Sequence, residues 1–186
     1  MLSWIYSLLG SIWNVLSRKK KTTLLMLGLD NSGKSTLLCR LATGTMAQLA
    51  PSARPNSDSF EFENLTVTAY DIGARRVWSN YFSATDAVLF LVDGSDVTRF
   101  PEAAKELNGL LSAEELSGMP VAVLNNKVDV PGALGMLDFK EQMQIDRCCS
   151  GFRLVGRRPL EAFASSVKLG CGYQDAFRWI AANLRD

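Results

Sequence analysis

Gly28-Leu29-Asp30-Asn31-Ser32-Gly33-Lys34-Ser35-Thr36 follows the apolar run Leu24-Leu25-Met26-Leu27 and leads into a helical pattern that lasts to about Ala42. Strand, glycine-bounded loop and helix, in that order, make the phosphate-binding P-loop. The glycines let the main chain wrap a polyphosphate, so that N–H groups of Asp30, Asn31, Ser32 and Gly33 and the helix N-terminus face the anion. Lys34 reaches the last two phosphates, Ser35 offers its hydroxyl to Mg²⁺, and Thr36 bonds the first phosphate. The plainer alternative is a glycine-rich turn that caps a helix.

Downstream of the loop, Phe60 and Phe62 alternate with polar residues, as do Leu65, Val67 and Ala69, which predicts a hairpin turning at Glu63-Asn64. The polar stretch Thr43 to Ser59 before it is expected to be a long loop. The second hairpin strand ends in Asp71-Ile72-Gly73, where a carboxylate can reach the Mg²⁺ shell. Ala87 to Val92 is a buried-strand run ending at Asp93, and a helix is expected from Pro101 to Leu111. A strand Pro120 to Leu124 then delivers Asn126-Lys127-Val128-Asp129. The Asp129 carboxylate can accept from both the ring N–H and the exocyclic amine of guanine, an edge that adenine lacks. Asn126 can fix the loop, and the Lys127 stem can lie on the base. Leu137 to Ile145 reads as helix, Cys148 to Arg158 as loop, Leu160 to Ala164 as a last strand, and Tyr173 to Leu184 as a closing amphipathic helix.

The alternation predicts an α/β fold: a doubly wound, mostly parallel six-stranded sheet with one antiparallel edge strand, nucleotide loops at the carboxyl ends of its strands, and an N-terminal amphipathic helix. Residues 1–21 are read as that helix with its basic stretch, and 22–186 as the nucleotide-binding domain. On a wheel of about 100° per residue, Ser3, Ser7, Gly10, Ser11, Asn14 and Ser17 share one sector, while Leu2, Trp4, Ile5, Leu8, Leu9, Ile12, Trp13 and Leu16 fill the rest. Arg18 to Lys21 follow the apolar run, the reverse of a secretory signal. A membrane-surface helix is the preferred reading, ahead of a helix docked on protein or a signal anchor. Leu2 and the Leu184-Arg185-Asp186 end offer no myristoylation or prenylation site.

Composition trims the remaining choices. A net charge of +1 gives no global field for nucleic acid, and the four cysteines form no disulfide framework or zinc knuckle. The absence of histidine removes imidazole acid–base chemistry and Ser-His triads. An ATP-dependent P-loop kinase is disfavoured by Asp129.

With the P-loop, Asp71 and Asn126-Lys127-Val128-Asp129 in sequence, the chain resembles a small GTPase, and within that superfamily the Sar family. Gly28-Leu-Asp-Asn-Ser-Gly-Lys34, Ala74-Arg-Arg-Val-Trp-Ser-Asn-Tyr81 and Gly172-Tyr173 with Phe177-Arg178-Trp179 carry the likeness over essentially the whole chain. The resemblance implies a switch using GTP, GDP and Mg²⁺. In the GTP state its N-terminal helix enters the cytoplasmic face of the endoplasmic-reticulum membrane and COPII coat proteins are recruited for transport to the Golgi. An exchange factor is a partner in reaching that state, and hydrolysis, with a GTPase-activating protein, returns it to the cytosol. It further implies that Ser52 closes on Mg²⁺ and the last phosphate, that Ser165, Ser166 and Val167 bind guanine O6 through their N–H groups, and that Lys34, Ser52 and Gly73 are the catalytic positions. One departure stands out: the family has four more residues between Gly73 and Ala74, including the His that orients the attacking water. The expectation adopted is that a loop ordered only by the γ-phosphate has dropped out of the numbering there. The alternative is a true deletion, which would leave a GTP-binding adaptor with little hydrolysis.

Overall fold

Apolar runs without polar alternation need cover on both faces, and the sheet supplies it. The computed structural model describes residues 20–45, 56–63, 65–72, 75–145 and 158–184. Strands β1 (Lys20–Gly28), β2 (Asn56–Phe62), β3 (Leu65–Asp71), β4 (Ala87–Asp93), β5 (Val121–Asn126) and β6 (Leu160–Ala164) form one sheet in the order β2-β3-β1-β4-β5-β6. Only the edge pair β2–β3 is antiparallel. The expected α/β sheet is therefore present. Helices α1 (Lys34–Thr43), α2 (Phe100–Leu111), α3 (Met136–Gln142) and α4 (Tyr173–Asn183) cover it.

The strand period divides the core in two. Leu25, Leu27, Val88, Phe90, Val121 and Val123 meet Phe100 and Leu107 of α2 and Phe139 of α3 on one face. Their sequence neighbours Leu24, Met26, Leu89, Leu91, Ala122 and Leu124 meet Leu37 and Leu38 of α1 and Phe177 and Ile180 of α4 on the other. Phe60 packs edge-on against Phe177 with centroids 5.7 Å apart, which ties the hairpin to α4.

Several boundaries differ from the sequence expectation, among them β5, which runs Val121–Asn126 and takes in Asn126. β2 begins at Asn56, inside the stretch read as loop, because an edge strand pairs through its backbone and its polar residues face water. β1 takes in Lys20 and Lys21, which pair with Leu65 and Thr66, so the sheet starts within the segment assigned to residues 1–21. α3 stops at Gln142, short of Ile145, and Gln144 at φ +58 breaks the helical path. Arg75–Ala84 forms a 3-10 helix that the sequence did not announce. Its Trp78 is buried and donates Nε1–H to Ile72 O at 3.1 Å. The expected N-terminal helix at residues 1–17 and the expected loop around Cys148 lie outside the described residues. Among the described residues no helix is long and apolar enough to cross a membrane.

Candidate nucleotide site

Parallel pairing sets the carboxyl ends of the strands side by side, and every loop singled out from the sequence leaves from one of those ends. Met26 lies opposite Asp71, Gly28 opposite Leu91, Asp93 opposite Asn126, and Asn125 opposite Ala164. The P-loop, Asp71, Asn126 to Asp129 and Ser165 to Val167 are thus gathered on one edge.

Gly28 leaves β1 at φ +137, and a Cβ there would lie 2.1 Å from Leu91 O. No side chain fits while β4 stays paired. Gly33, at φ +98, approaches Asn126 in the same way, with a Cβ 2.5 Å from its Nδ2. Between these glycines the loop folds back so that the Lys34 ammonium donates to Gly28 O at 3.1 Å and Leu29 O at 2.9 Å. Burial pulls the pKa of Lys34 below the usual lysine range, with the Asp71 and Asp30 carboxylates opposing the shift and Arg99 adding to it. A buried cation beside a loop and a helix N-terminus is a group that suits a phosphate.

Ser35 donates its hydroxyl to Asp71 Oδ2. Asp71 is only 1% exposed, and its Oδ1 has no hydrogen-bond partner among the described residues. An orphaned, buried carboxylate oxygen beside a hydroxyl at the start of the P-loop helix is an all-oxygen donor set that suits Mg²⁺. The residues fit the expected metal. Replacing Ser35 with Asn is expected to weaken Mg²⁺-dependent GTP binding by about tenfold or more while changing GDP binding less. Equal losses for the two nucleotides, measured by titration with and without Mg²⁺, would argue against the metal role.

Asn126 holds the loops together. Its Nδ2 donates to Ser32 O at 2.8 Å, and its Oδ1 accepts from Val167 N at 3.1 Å. Asp129 Oδ1 accepts from Ser166 Oγ at 2.5 Å, which fixes the carboxylate that the sequence assigns to guanine. Lys127, at φ +63, donates to Asp93 Oδ2 at 2.6 Å. Burial alone would raise the Asp93 carboxyl, but hydrogen bonds from Lys127 and Ser95 hold it below the ordinary carboxylate range. The pair anchors the Lys127 side chain to the end of β4.

The sequence singled out no role for Asp93 beyond ending a strand, and none for Arg99. Arg99 donates to Asp30 Oδ1 at 2.8 Å and to Glu102 Oε2 at 3.0 Å, joining α2 to the P-loop. An Arg three residues before a Glu at a helix start was the available signal for half of that contact. The contact with Asp30 is tertiary. Asp30, Asn31, Ser32, Gly33, Lys34, Ser35 and Thr36 occupy one turn of loop and helix, as expected. Ser52, Gly73 and the junction of Gly73 with Ala74 lie outside the described residues. The amino-acid sequence runs from Gly73 directly to Ala74.

Comparison with known proteins agrees with this fold. The model of the ADP-ribosylation factor family matches residues 8–184. A small COPII coat GTPase SAR1 of Giardia intestinalis is 35% identical over 174 residues, covering 89% of this chain and 91% of that protein. ADP-ribosylation factor J of Dictyostelium discoideum is 31% identical over the whole of both chains. Among solved structures, the Arl6 BBS3 small GTPase of Trypanosoma brucei, with bound nucleotide analogue GppNp, superposes with a TM-score of 0.76 at 28% identity, covering 88% of this chain and 96% of that one.

Proposed function

Because the chain belongs to the ADP-ribosylation factor family of small GTPases, we propose that it is a GTP-controlled membrane switch of the Sar type. Members of this family bind guanine nucleotide, hydrolyse GTP, and work with exchange factors, activating proteins and effectors. In the proposed cycle the GTP form inserts the helix within residues 1–21 into the endoplasmic-reticulum membrane and recruits COPII coat, and the GDP form is cytosolic. The observation that carries the nucleotide part is Asn126, whose two side-chain atoms tie the P-loop to the loop beside Asp129. The Sar assignment is supported by the Giardia relative and by the motif likeness around Ala74 to Tyr81.

Within the site, Asp129 selects the base. The P-loop N–H groups and Lys34 offset the charge of the phosphates. The loop Ser165 to Val167 stands beside Asp129, but the expected binding of guanine O6 by its N–H groups is corrected: Ser165 N donates to Asn125 O, Ser166 N to Cys171 O and Val167 N to Asn126 Oδ1. Ser35, Asp71 and Ser52 would hold Mg²⁺, which neutralises the charge developing between the last two phosphates when bound.

A second reading is a GTP-binding adaptor with little turnover, favoured by the direct Gly73-Ala74 sequence in a chain without histidine. With no imidazole to orient water, hydrolysis depends on electrostatic positioning and on any arginine supplied by an activator. Single-turnover hydrolysis with and without a COPII-derived activator separates the two: acceleration supports the switch, and none leaves the adaptor. For the membrane part, liposome flotation is expected to require GTP and to be abolished by deleting residues 1–17, while nucleotide affinity stays nearly intact. Flotation of the truncated chain would refute that role.

A further inference from the structure

We infer that Arg40, on the second turn of α1, is a positioning residue for the guanine subsite, clamping the loop at residues 165–168 to the helix that starts at the phosphates. The inference rests on the guanine-nucleotide reading above. Arg40 donates from one terminal nitrogen to Val167 O at 2.8 Å and to Lys168 O at 3.1 Å, across a sequence gap of 127 residues in the first case. Its guanidinium also lies against Gly170, where the backbone has φ +77 and a Cβ would fall 2.2 Å from Nη2 and 2.8 Å from Cζ. A residue with a side chain at that position would push the guanidinium off the loop.

The clamped loop is the one that touches the base-selecting groups. Val167 N–H is committed to Asn126, Ser166 Oγ donates to Asp129, and Leu169 N–H donates back to Ser166 Oγ at 3.0 Å. At its start Ser165 N donates to Asn125 O at 2.8 Å and Val128 N donates to Ser165 O at 3.2 Å, and within the loop Gly170 N and Cys171 N both donate to Ser166 O. The Ser165 bonds hold the loop's first residue to the end of β5, the Ser166 bonds set its shape, and Arg40 ties its far side, Val167 and Lys168, to α1. Lys34 and Ser35 open the same helix, about 9 Å away along its axis at 1.5 Å per residue. Phosphate end and base end are therefore referred to one rigid element, and loosening Arg40 lets Asp129 drift through Ser166.

The test uses the full chain loaded with fluorescent GDP, GTP or IDP, the last lacking the exocyclic amine that Asp129 would accept. Arg40→Met keeps the stem and removes the donors. Release of GDP and of GTP is expected to rise by a common factor of about ten, as for a lost pair of charge-assisted hydrogen bonds partly exposed to water. The preference for GDP over IDP is expected to fall, and the Mg²⁺ dependence to stay as in the wild type. Arg40→Lys, able to reach one carbonyl, should fall between the two, and it carries the test if Arg40→Met does not fold. Wild-type release rates and an unchanged GDP-to-IDP ratio, even with a lower Tm, overturn the inference and leave Arg40 a packing residue. An effect on GTP alone also overturns it, because the loop meets only the base. Failure of the wild-type chain to retain any guanine nucleotide instead overturns the functional reading on which it stands.

Discussion

Asp129→Asn is expected to lose GDP by a factor of about 10² to 10⁴ and to gain xanthosine diphosphate. The carboxylate would accept two charge-assisted hydrogen bonds from guanine, each worth about 1.5–3 kcal/mol net, so about 3–6 kcal/mol is at stake. Asn keeps one acceptor but turns an N–H donor toward the guanine amine, donor against donor. Xanthine has a carbonyl at that place and restores the match. Asp129 is suited to this test because its side chain is only 10% exposed and is held by Ser166, so the substituted amide is placed in the same position. Competition titrations with GDP, XDP and ADP read the outcome. Unchanged GDP affinity would mean that the base lies elsewhere.

Lys34→Met should separate binding from folding. Lys34 is 6% exposed, its ammonium is bonded to two P-loop carbonyls, and burial holds its pKa down. Removing it takes a donor from each carbonyl, though Leu29 O keeps the Ser32 N–H, at about 1–3 kcal/mol for a carbonyl left unpaired and dry, while relieving the cost of a desolvated charge. The opposing terms leave the nucleotide-free Tm within a few degrees of wild type. Nucleotide binding has no such offset, since the contacts to two phosphates disappear, and affinity is expected to fall by about 10² or more. Thermal melts with and without GDP test both halves. At ligand equal to 100 Kd the wild type gains about 2.7 kcal/mol from binding, and the variant should show almost none of that increment. A variant that keeps the GDP-dependent shift would remove Lys34 from the phosphate site.

Much of this site is legible because its chemistry is local. Gly28 to Thr36 encodes strand, turn and helix in contiguous residues, and the apolar runs Leu24–Leu27 and Ala87–Val92 mark strands covered on both faces. Asp71 and Asp129 are likewise recognisable from the strands that deliver them. Asn56 to Ser59 escaped notice as strand because an edge strand paired on one side needs no apolar face there. The 3-10 helix Arg75–Ala84 escaped because its anchors, Trp78 on Phe90 and Ile72 and Phe82 in the same core, are tertiary contacts.

By itself the sequence determined which residues are equipped to hold phosphate, metal and guanine, since those abilities depend on residue type, short spacing and the strand ahead of each loop. Only the tertiary structure decided which of them act together. Asn126 reaches Ser32 across 94 residues, Lys127 pairs with Asp93 across 34, and Arg40 clamps Val167 across 127. These contacts exist because parallel registry sets the strand ends side by side and the glycines at 28, 33 and 170 let backbone and side chains approach within hydrogen-bonding distance. No local pattern encodes that proximity, because the pairing of strands far apart in the chain creates it.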